Sequence, residues 1–141
     1  MSAELIGRRS FLARTGTGLV LSGTASSVLL SPRPAWAATA KVGEAAPGFT
    51  VTATNGSPVS LASYKGKVVV LEWTNHDCPY VRKHYDSGNM QGLQRDATGQ
   101  GVVWLTVISS VQGTQGFVTA PQADELTTSR RAAPTAVLLD T

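Results

Sequence analysis

The amino-acid sequence predicts an α/β protein built around a mostly parallel sheet. Three apolar runs bounded by turn residues, Val68–Trp73, Gly101–Ile108 and Thr135–Leu139, are typical of strands buried on both faces of a sheet. Helix-like segments separate these runs. Because strands alternate with helices, we expect parallel pairing and right-handed crossover connections.

A turn-rich segment and a short strand come first. Pro47 and Gly48 interrupt the extended lead-in, and Phe49–Ala53 follows as a short strand. Asn55-Gly56 is a two-residue turn signal, and a further turn at Lys65-Gly66-Lys67 leads into the first long apolar run. The predicted order is therefore strand, strand, helix, strand, helix, strand.

The first helix is predicted to open at Cys78-Pro79, because proline is favoured at the first helical position, where its missing N–H needs no partner. Gly88 lowers the helix propensity of the segment that follows, so we expect a break there. Pro121 stands near the start of the second helix, which covers residues 120–131. In the first helical segment we expect Val81, Tyr85, Met90 and Leu93 to face the core and Lys83, Asp86 and Gln94 to face solvent.

The formal charge of the 141-residue chain is +3, but the excess is confined to its amino-terminal segment. Residues 1–37 hold four arginines against one glutamate. Removing them from the totals of 12 basic and 9 acidic residues leaves eight of each sign from residue 38 onward. A neutral domain lacks the basic surface that binds a phosphate backbone, so we expect no nucleic-acid partner.

The amino-terminal segment has the pattern of an export signal. "GRRSFLA" contains Arg8 and Arg9, an uncharged segment follows over residues 15–32, and Ala35-Trp36-Ala37 is an A-x-A cleavage pattern. This arrangement resembles a twin-arginine signal peptide. The resemblance implies recognition by the twin-arginine export machinery, cleavage after Ala37, and a periplasmic domain over residues 38–141. An uncleaved membrane anchor is the alternative.

Cys78 is the only cysteine of the chain, so the sequence contains no internal disulfide. Its predicted position at the start of a helix favours the thiolate, since unpaired N–H groups and the helix dipole stabilise negative charge there. Arg82, one turn later, adds a positive charge, whereas Asp77 opposes it, and the net effect stays open. The competing interpretation is a small buried apolar side chain.

Three stretches carry a resemblance to a known family: "VGEAAPGFTV", "LASYKGKVVVLEW" and "CPYV". Over about Val42 to Leu139 the chain resembles redoxins of the alkyl hydroperoxide reductase/thiol-specific antioxidant (AhpC/TSA) family. The resemblance implies a thioredoxin-like α/β fold with an N-terminal extension and a thiol-dependent oxidoreductase or peroxidase activity that needs no cofactor. Because the sequence stops directly after a strand, we expect the redoxin domain to be truncated at its C-terminus.

The chain departs from the related active sites at two positions. Dithiol enzymes carry C-x-x-C, and here Val81 occupies the position of the resolving cysteine. Peroxiredoxins place Thr or Ser three residues before the reactive cysteine, where this chain has Asn75, with Thr74 one residue further back. The sequence therefore predicts a monothiol that attacks a disulfide-containing protein or a peroxide and is restored by an external thiol. The candidate site consists of the nucleophile Cys78 and the supporting residues Thr74, Asn75, His76, Pro79, Tyr80 and Arg82.

The two histidines do not predict a metal site. His84 lies six residues after Cys78 on a helix, so the two side chains do not share a face, and one cysteine with the loop residue His76 falls short of a zinc site. Trp73 and Trp104 are expected to pack in the sheet, and Tyr80 is a candidate for the substrate surface.

Two alternatives stay open. The cis-proline that thioredoxin-fold proteins place opposite their reactive cysteine is either Pro134 or a residue beyond 141, and we favour the second. The competing function is a redox-inactive binding module that presents its Cys-Pro loop to a partner; a metallochaperone is a more distant alternative.

Overall fold

The computed structural model describes residues 39–140, so the predicted signal peptide lies outside the described residues. The described part contains a five-stranded sheet and three α-helices. The strands are β1 (Thr50–Ala53), β2 (Pro58–Ser60), β3 (Val69–Trp73), β4 (Val103–Ile108) and β5 (Ala136–Leu139). The helices are α1 (Pro79–Asp86), α2 (Asn89–Gly99) and α3 (Ala120–Ser129), and a single 3-10 turn covers Leu61–Tyr64.

The sheet has the strand order β2-β1-β5-β4-β3. β3, β4 and β5 pair in parallel, as predicted, whereas β1 and β2 form an antiparallel hairpin with Val51 opposite Val59. The sequence did not predict β2, because three residues that begin with Pro58 give little strand signal. The chain passes from β3 to β4 to β5 in one direction across the sheet. Right-handed crossovers then place all three helices on one face.

Each face of the sheet carries its own apolar cluster. The helix face packs Ala123 of α3 against Ile108 and Val137. The opposite face is centred on Leu105 and Leu138, both fully buried. Phe49 and Tyr64, from the segments beside β1 and β2, pack against this second cluster.

The prediction that Val68–Trp73 is buried on both faces is wrong. β3 stands at an edge of the sheet, its residues are at best half-buried, and Trp73 is 62% exposed. The prediction that Trp73 packs in the sheet is therefore wrong. Its indole N–H donates to Ser109 Oγ at 3.1 Å. An apolar run indicates that a strand forms, but it does not show whether the strand is central or at the edge of the sheet. β4, by contrast, is buried along its whole length, and Trp104 is in the interior.

The predicted break in the first helix is confirmed. α1 ends at Asp86, and Gly88 adopts a left-handed conformation (φ 75°) as the N-cap of α2. Tyr85 is buried as predicted, but Leu93 is 49% exposed and Gln94, expected outside, is fully buried. The predicted inward face assumes one continuous helix, whereas the break at Gly88 changes which residues of α2 face the core. Among residues 39–140, no helix is long and apolar enough to cross a membrane.

Candidate active site

Cys78 lies at the junction of a β-turn and α1. Its N–H donates to Asn75 O at 3.0 Å and closes the turn, while its carbonyl accepts the N–H of Arg82 at 2.9 Å as the first bond of the helix. Pro79 occupies the first helical position, as the sequence predicts. Cys78 is half-buried, so its thiol combines a fixed backbone position with access to solvent.

Asn75 organises the turn that precedes the thiol. Its Oδ1 accepts the N–H of Asp77 at 2.9 Å, and its Nδ2 donates to Gln115 O at 3.1 Å. Gly116 is buried against this amide: a Cβ at that position would overlap the Asn75 side chain. The turn is therefore attached to the loop between β4 and α3.

A shallow surface pocket of about 400 Å³ contains Cys78. Thr74, Asn75 and Val81 line the same pocket, and Val81 occupies the sequence position at which dithiol enzymes carry the resolving cysteine. Thr74 also lines a second, small cavity of about 30 Å³, and its buried Oγ1 makes no hydrogen bond with any described residue. The pocket is completed by Trp73, Ser109 and Ser110.

The remaining predicted supporting residues do not converge on the thiol. His76 directs Nε2 toward Asp77 Oδ1 at 3.3 Å, while its carbonyl accepts a hydrogen bond from Arg130 Nη2 at 3.1 Å. Tyr80 is exposed on α1, as is Arg82, which forms no ion pair within the described part of the chain. Neither Tyr80 nor Arg82 lines the pocket of Cys78.

A buried polar cluster beneath the site was not predicted. Tyr85 donates its hydroxyl proton to Glu72 Oε1 at 2.9 Å. Burial, and secondarily the negative charge and hydrogen bond of Glu72, raise the pKa of Tyr85 far above its ordinary value. Glu72 Oε2 accepts hydrogen bonds from Trp104 Nε1 at 2.7 Å, Gln94 Nε2 at 3.1 Å and Thr106 Oγ1 at 3.2 Å. The sequence signal for this cluster is the single acidic residue inside the apolar run "VVVLEW", because a carboxylate in a buried strand needs hydrogen-bond partners.

Within residues 39–140, no three His, Cys, Asp or Glu side chains come together as metal ligands. The ring of His84 lies 3.2 Å from Asn89 Nδ2, at the opposite end of α1 from the thiol. The two histidines and Cys78 thus do not form one group.

Comparison with known proteins identifies the family. A model of the AhpC/TSA family matches residues 42–140. The chain belongs to the AhpC/TSA family. The family membership inferred from the redoxin-like stretches is thereby confirmed, and no curated protein matches the chain significantly.

Solved structures show the fold of this AhpC/TSA chain to be thioredoxin-like. A candidate protein disulfide isomerase of Bacteroides thetaiotaomicron is 25% identical with a TM-score of 0.51, and the match covers 71% of this chain and 58% of that protein. The thioredoxin domain of a thiol-disulfide oxidoreductase from Bacteroides vulgatus is 18% identical with a TM-score of 0.53, and the match covers 73% of this chain and 66% of that protein. A hypothetical protein of Sinorhizobium meliloti 1021 is 17% identical with a TM-score of 0.62, and the match covers 73% of this chain and 55% of that protein. The chain thus spans less than two thirds of the length of each.

Proposed function

We propose that the chain is an exported thiol-dependent oxidoreductase that uses Cys78 as its single nucleophile. The observation that carries this proposal is the position of the cysteine. It caps the amino end of α1 within a solvent-open pocket of a thioredoxin-like AhpC/TSA domain. A thiol there is open to a second sulfur without unfolding of the chain.

The reaction proceeds through a mixed disulfide. The thiolate of Cys78 attacks one sulfur of a disulfide substrate, a new S–S bond forms, and the other sulfur leaves as a thiolate that takes up a proton. An external thiol then attacks the Cys78 sulfur and releases the second substrate thiol. A second external thiol restores Cys78, so one substrate disulfide is reduced and one external disulfide is formed.

Two features of the surface around Cys78 support a polypeptide disulfide as substrate. The pocket is open, and the aromatic side chains of Trp73 and Tyr80 are largely exposed on the segments before and after the thiol. Val81 fills the position of a resolving cysteine, so the mixed disulfide persists until the external thiol arrives.

Peroxide reduction is the second candidate: Thr74 lines the pocket of Cys78, and its buried Oγ1 has no hydrogen-bond partner among the described residues. In that reaction the Cys78 thiolate takes one peroxide oxygen to form a sulfenic acid, and the other oxygen leaves as an alcohol or water. Two external thiols then return the sulfenic acid to the thiol with release of water and a disulfide.

The test is a trapping experiment on the purified chain and Cys78→Ser. Mixing each with a disulfide-linked peptide, without reductant, should give a mass-shifted adduct on Cys78 only, and adding a small thiol should restore turnover. In a parallel experiment the chain is mixed with a hydroperoxide. If Cys78 forms a sulfenic acid faster than it forms the peptide adduct, the peroxidase function is selected. If Cys78 reacts only after the chain is unfolded, both redox proposals fail and the binding-module interpretation replaces them.

The proposal that the chain is exported rests on residues 1–37 alone. Expressed with its native amino terminus in a bacterium that has the twin-arginine pathway, the chain should appear in the periplasm, shortened after Ala37. Replacing Arg8 and Arg9 by lysine should retain the full-length form in the cytoplasm. Periplasmic, cleaved product from the double-lysine variant would exclude the twin-arginine route.

A further inference from the structure

Arg130 contacts the chain on both sides of Cys78. Its Nη2 donates to the carbonyl of His76, in the turn before the cysteine, at 3.1 Å. The centre of the same guanidinium lies 5.0 Å from the ring centroid of Tyr85, in the helix after the cysteine. One side chain therefore connects the two elements whose junction holds the thiol.

The backbone of Arg130 is itself anchored. The residue caps the C-terminus of α3, and its carbonyl accepts a hydrogen bond from Gln91 Nε2 at 2.8 Å. The same Gln91 amide donates to Tyr85 O at 2.8 Å, near the end of α1. Gln91 is 7% exposed, so both bonds are protected from water. Arg130 thus reaches the turn from a fixed point rather than from a mobile surface.

The residue type suits this double contact. A guanidinium is planar, so it can donate within its plane while its face stacks on an aromatic ring. Its bond to a backbone carbonyl is charge-assisted and stronger than a neutral one. Lysine has no comparable plane and offers a strongly hydrated point charge instead.

We propose that Arg130 is a positioning residue for Cys78: it sets the angle between the Asn75–Cys78 turn and α1, and hence the direction of the thiol. It acts through His76 O and the Tyr85 ring and touches no substrate. Sequence reasoning assigned the supporting charge to Arg82, whereas the geometry assigns the supporting contact to Arg130, 52 positions after the cysteine. The inference deepens the proposed function, but its first readout does not depend on it.

The experiment compares Arg130→Ala and Arg130→Lys with the control Arg95→Ala. Arg95 is an exposed arginine whose Nη1 donates to Arg131 O at 3.5 Å but which has no hydrogen bond to the turn or to Tyr85. The first readout is amide hydrogen exchange at Asp77 and Cys78. Loss of one charge-assisted bond should accelerate exchange at these amides about tenfold in Arg130→Ala. Arg130→Lys should lie between Arg130→Ala and the wild-type chain. The control should leave these amides unchanged.

The second readout is the rate at which an uncharged alkylating reagent modifies Cys78 in the folded chain, relative to the unfolded chain. Arg130→Ala should shift this ratio by about threefold or more toward the unfolded value, and Arg95→Ala should not. If Arg130→Ala does not fold, the comparison between Arg130→Lys and the control decides. Exchange at Asp77 and Cys78 equal to that of the control overturns the positioning role. Faster exchange in a chain that never reacts with disulfides or peroxides would instead refute the proposed function alone.

Discussion

Gly116 and Gly113 form a matched pair for measuring how strongly the turn of Cys78 is held. Both lie in the loop between β4 and α3, and both have left-handed φ angles, +84° and +85°. A Cβ at Gly113 meets nothing within 4 Å, whereas a Cβ at Gly116 overlaps the Asn75 side chain. Changing each to alanine therefore imposes the same backbone strain, and only Gly116→Ala also displaces Asn75.

The expected difference follows from the bonds that Asn75 would lose. The left-handed conformation costs an alanine about 1–2 kcal/mol in either variant. Displacing Asn75 removes its hydrogen bonds to Asp77 N and Gln115 O, each worth about 0.5–1.5 kcal/mol. Because both bonds are exposed to solvent, we expect Gly116→Ala to lower the free energy of unfolding by about 1–2 kcal/mol more than Gly113→Ala does. Urea unfolding measures this difference as a shift of midpoint at unchanged slope.

Combining Gly116→Ala with Asn75→Ala isolates the contact. With the amide gone there is nothing left to displace, so the cost of Gly116→Ala should fall to that of Gly113→Ala. Equal costs of the two glycine variants in the wild-type background would refute the reasoning. So would an unchanged cost of Gly116→Ala in the Asn75→Ala background.

The other predictions concern the cap of α3, the buried cluster and the missing cysteine. Arg131→Gly should raise the free energy of unfolding by about 1 kcal/mol, because Arg131, the residue after the C-cap of α3, has a left-handed φ of 54° that glycine adopts without strain; an unchanged urea midpoint contradicts this. The raised pKa of Tyr85 means that the folded chain holds the phenol proton more tightly than the unfolded chain, so stability is intact below about pH 10 and falls above it. Tyr85→Phe should lack that fall, as urea unfolding on both sides of pH 10 would show. Glu72→Leu should cost about 3 kcal/mol because it removes the acceptor of the buried donors, whereas Glu72→Gln, which keeps one carbonyl oxygen, should cost about 1 kcal/mol in the same assay. Val81→Cys should form a disulfide with Cys78 on mild oxidation, detected as the loss of the mass of two hydrogen atoms without dimerisation; a dimer would show that the two side chains diverge.

Local signals predicted most of the fold because they act over short distances. The apolar runs, the proline at the start of α1 and the glycine break after it depend on neighbouring residues only. The errors came from tertiary context. β3 is an edge strand although it reads like the buried strand β4, and Gln94 is buried because its amide meets Glu72 and the backbone of Ala133.

The candidate site divides in the same way. The sequence predicts Cys78 and Pro79 at the start of a helix, and the structure places them there; Val81 was singled out from its spacing to Cys78. Arg82 was predicted to support the thiol because it follows Cys78 by four residues, but its side chain is exposed to solvent, since helical spacing fixes a direction and not a contact. Arg130 carries no local signal at all, because its role depends on how α3 packs beside α1.

A single cysteine has no internal disulfide to hold its surroundings, so the order of this site must come from non-covalent anchors. Three of them converge on the segment before Cys78: Val107 O accepts the N–H of Thr74, Gln115 O accepts the Asn75 amide, and Arg130 binds the next carbonyl. They belong to β4, the loop after it and the end of α3, so opening any one element loosens the turn. The reactivity of Cys78 should therefore depend on packing far along the chain, and variants at those anchors should alter it while leaving the thiol and its neighbours in sequence untouched.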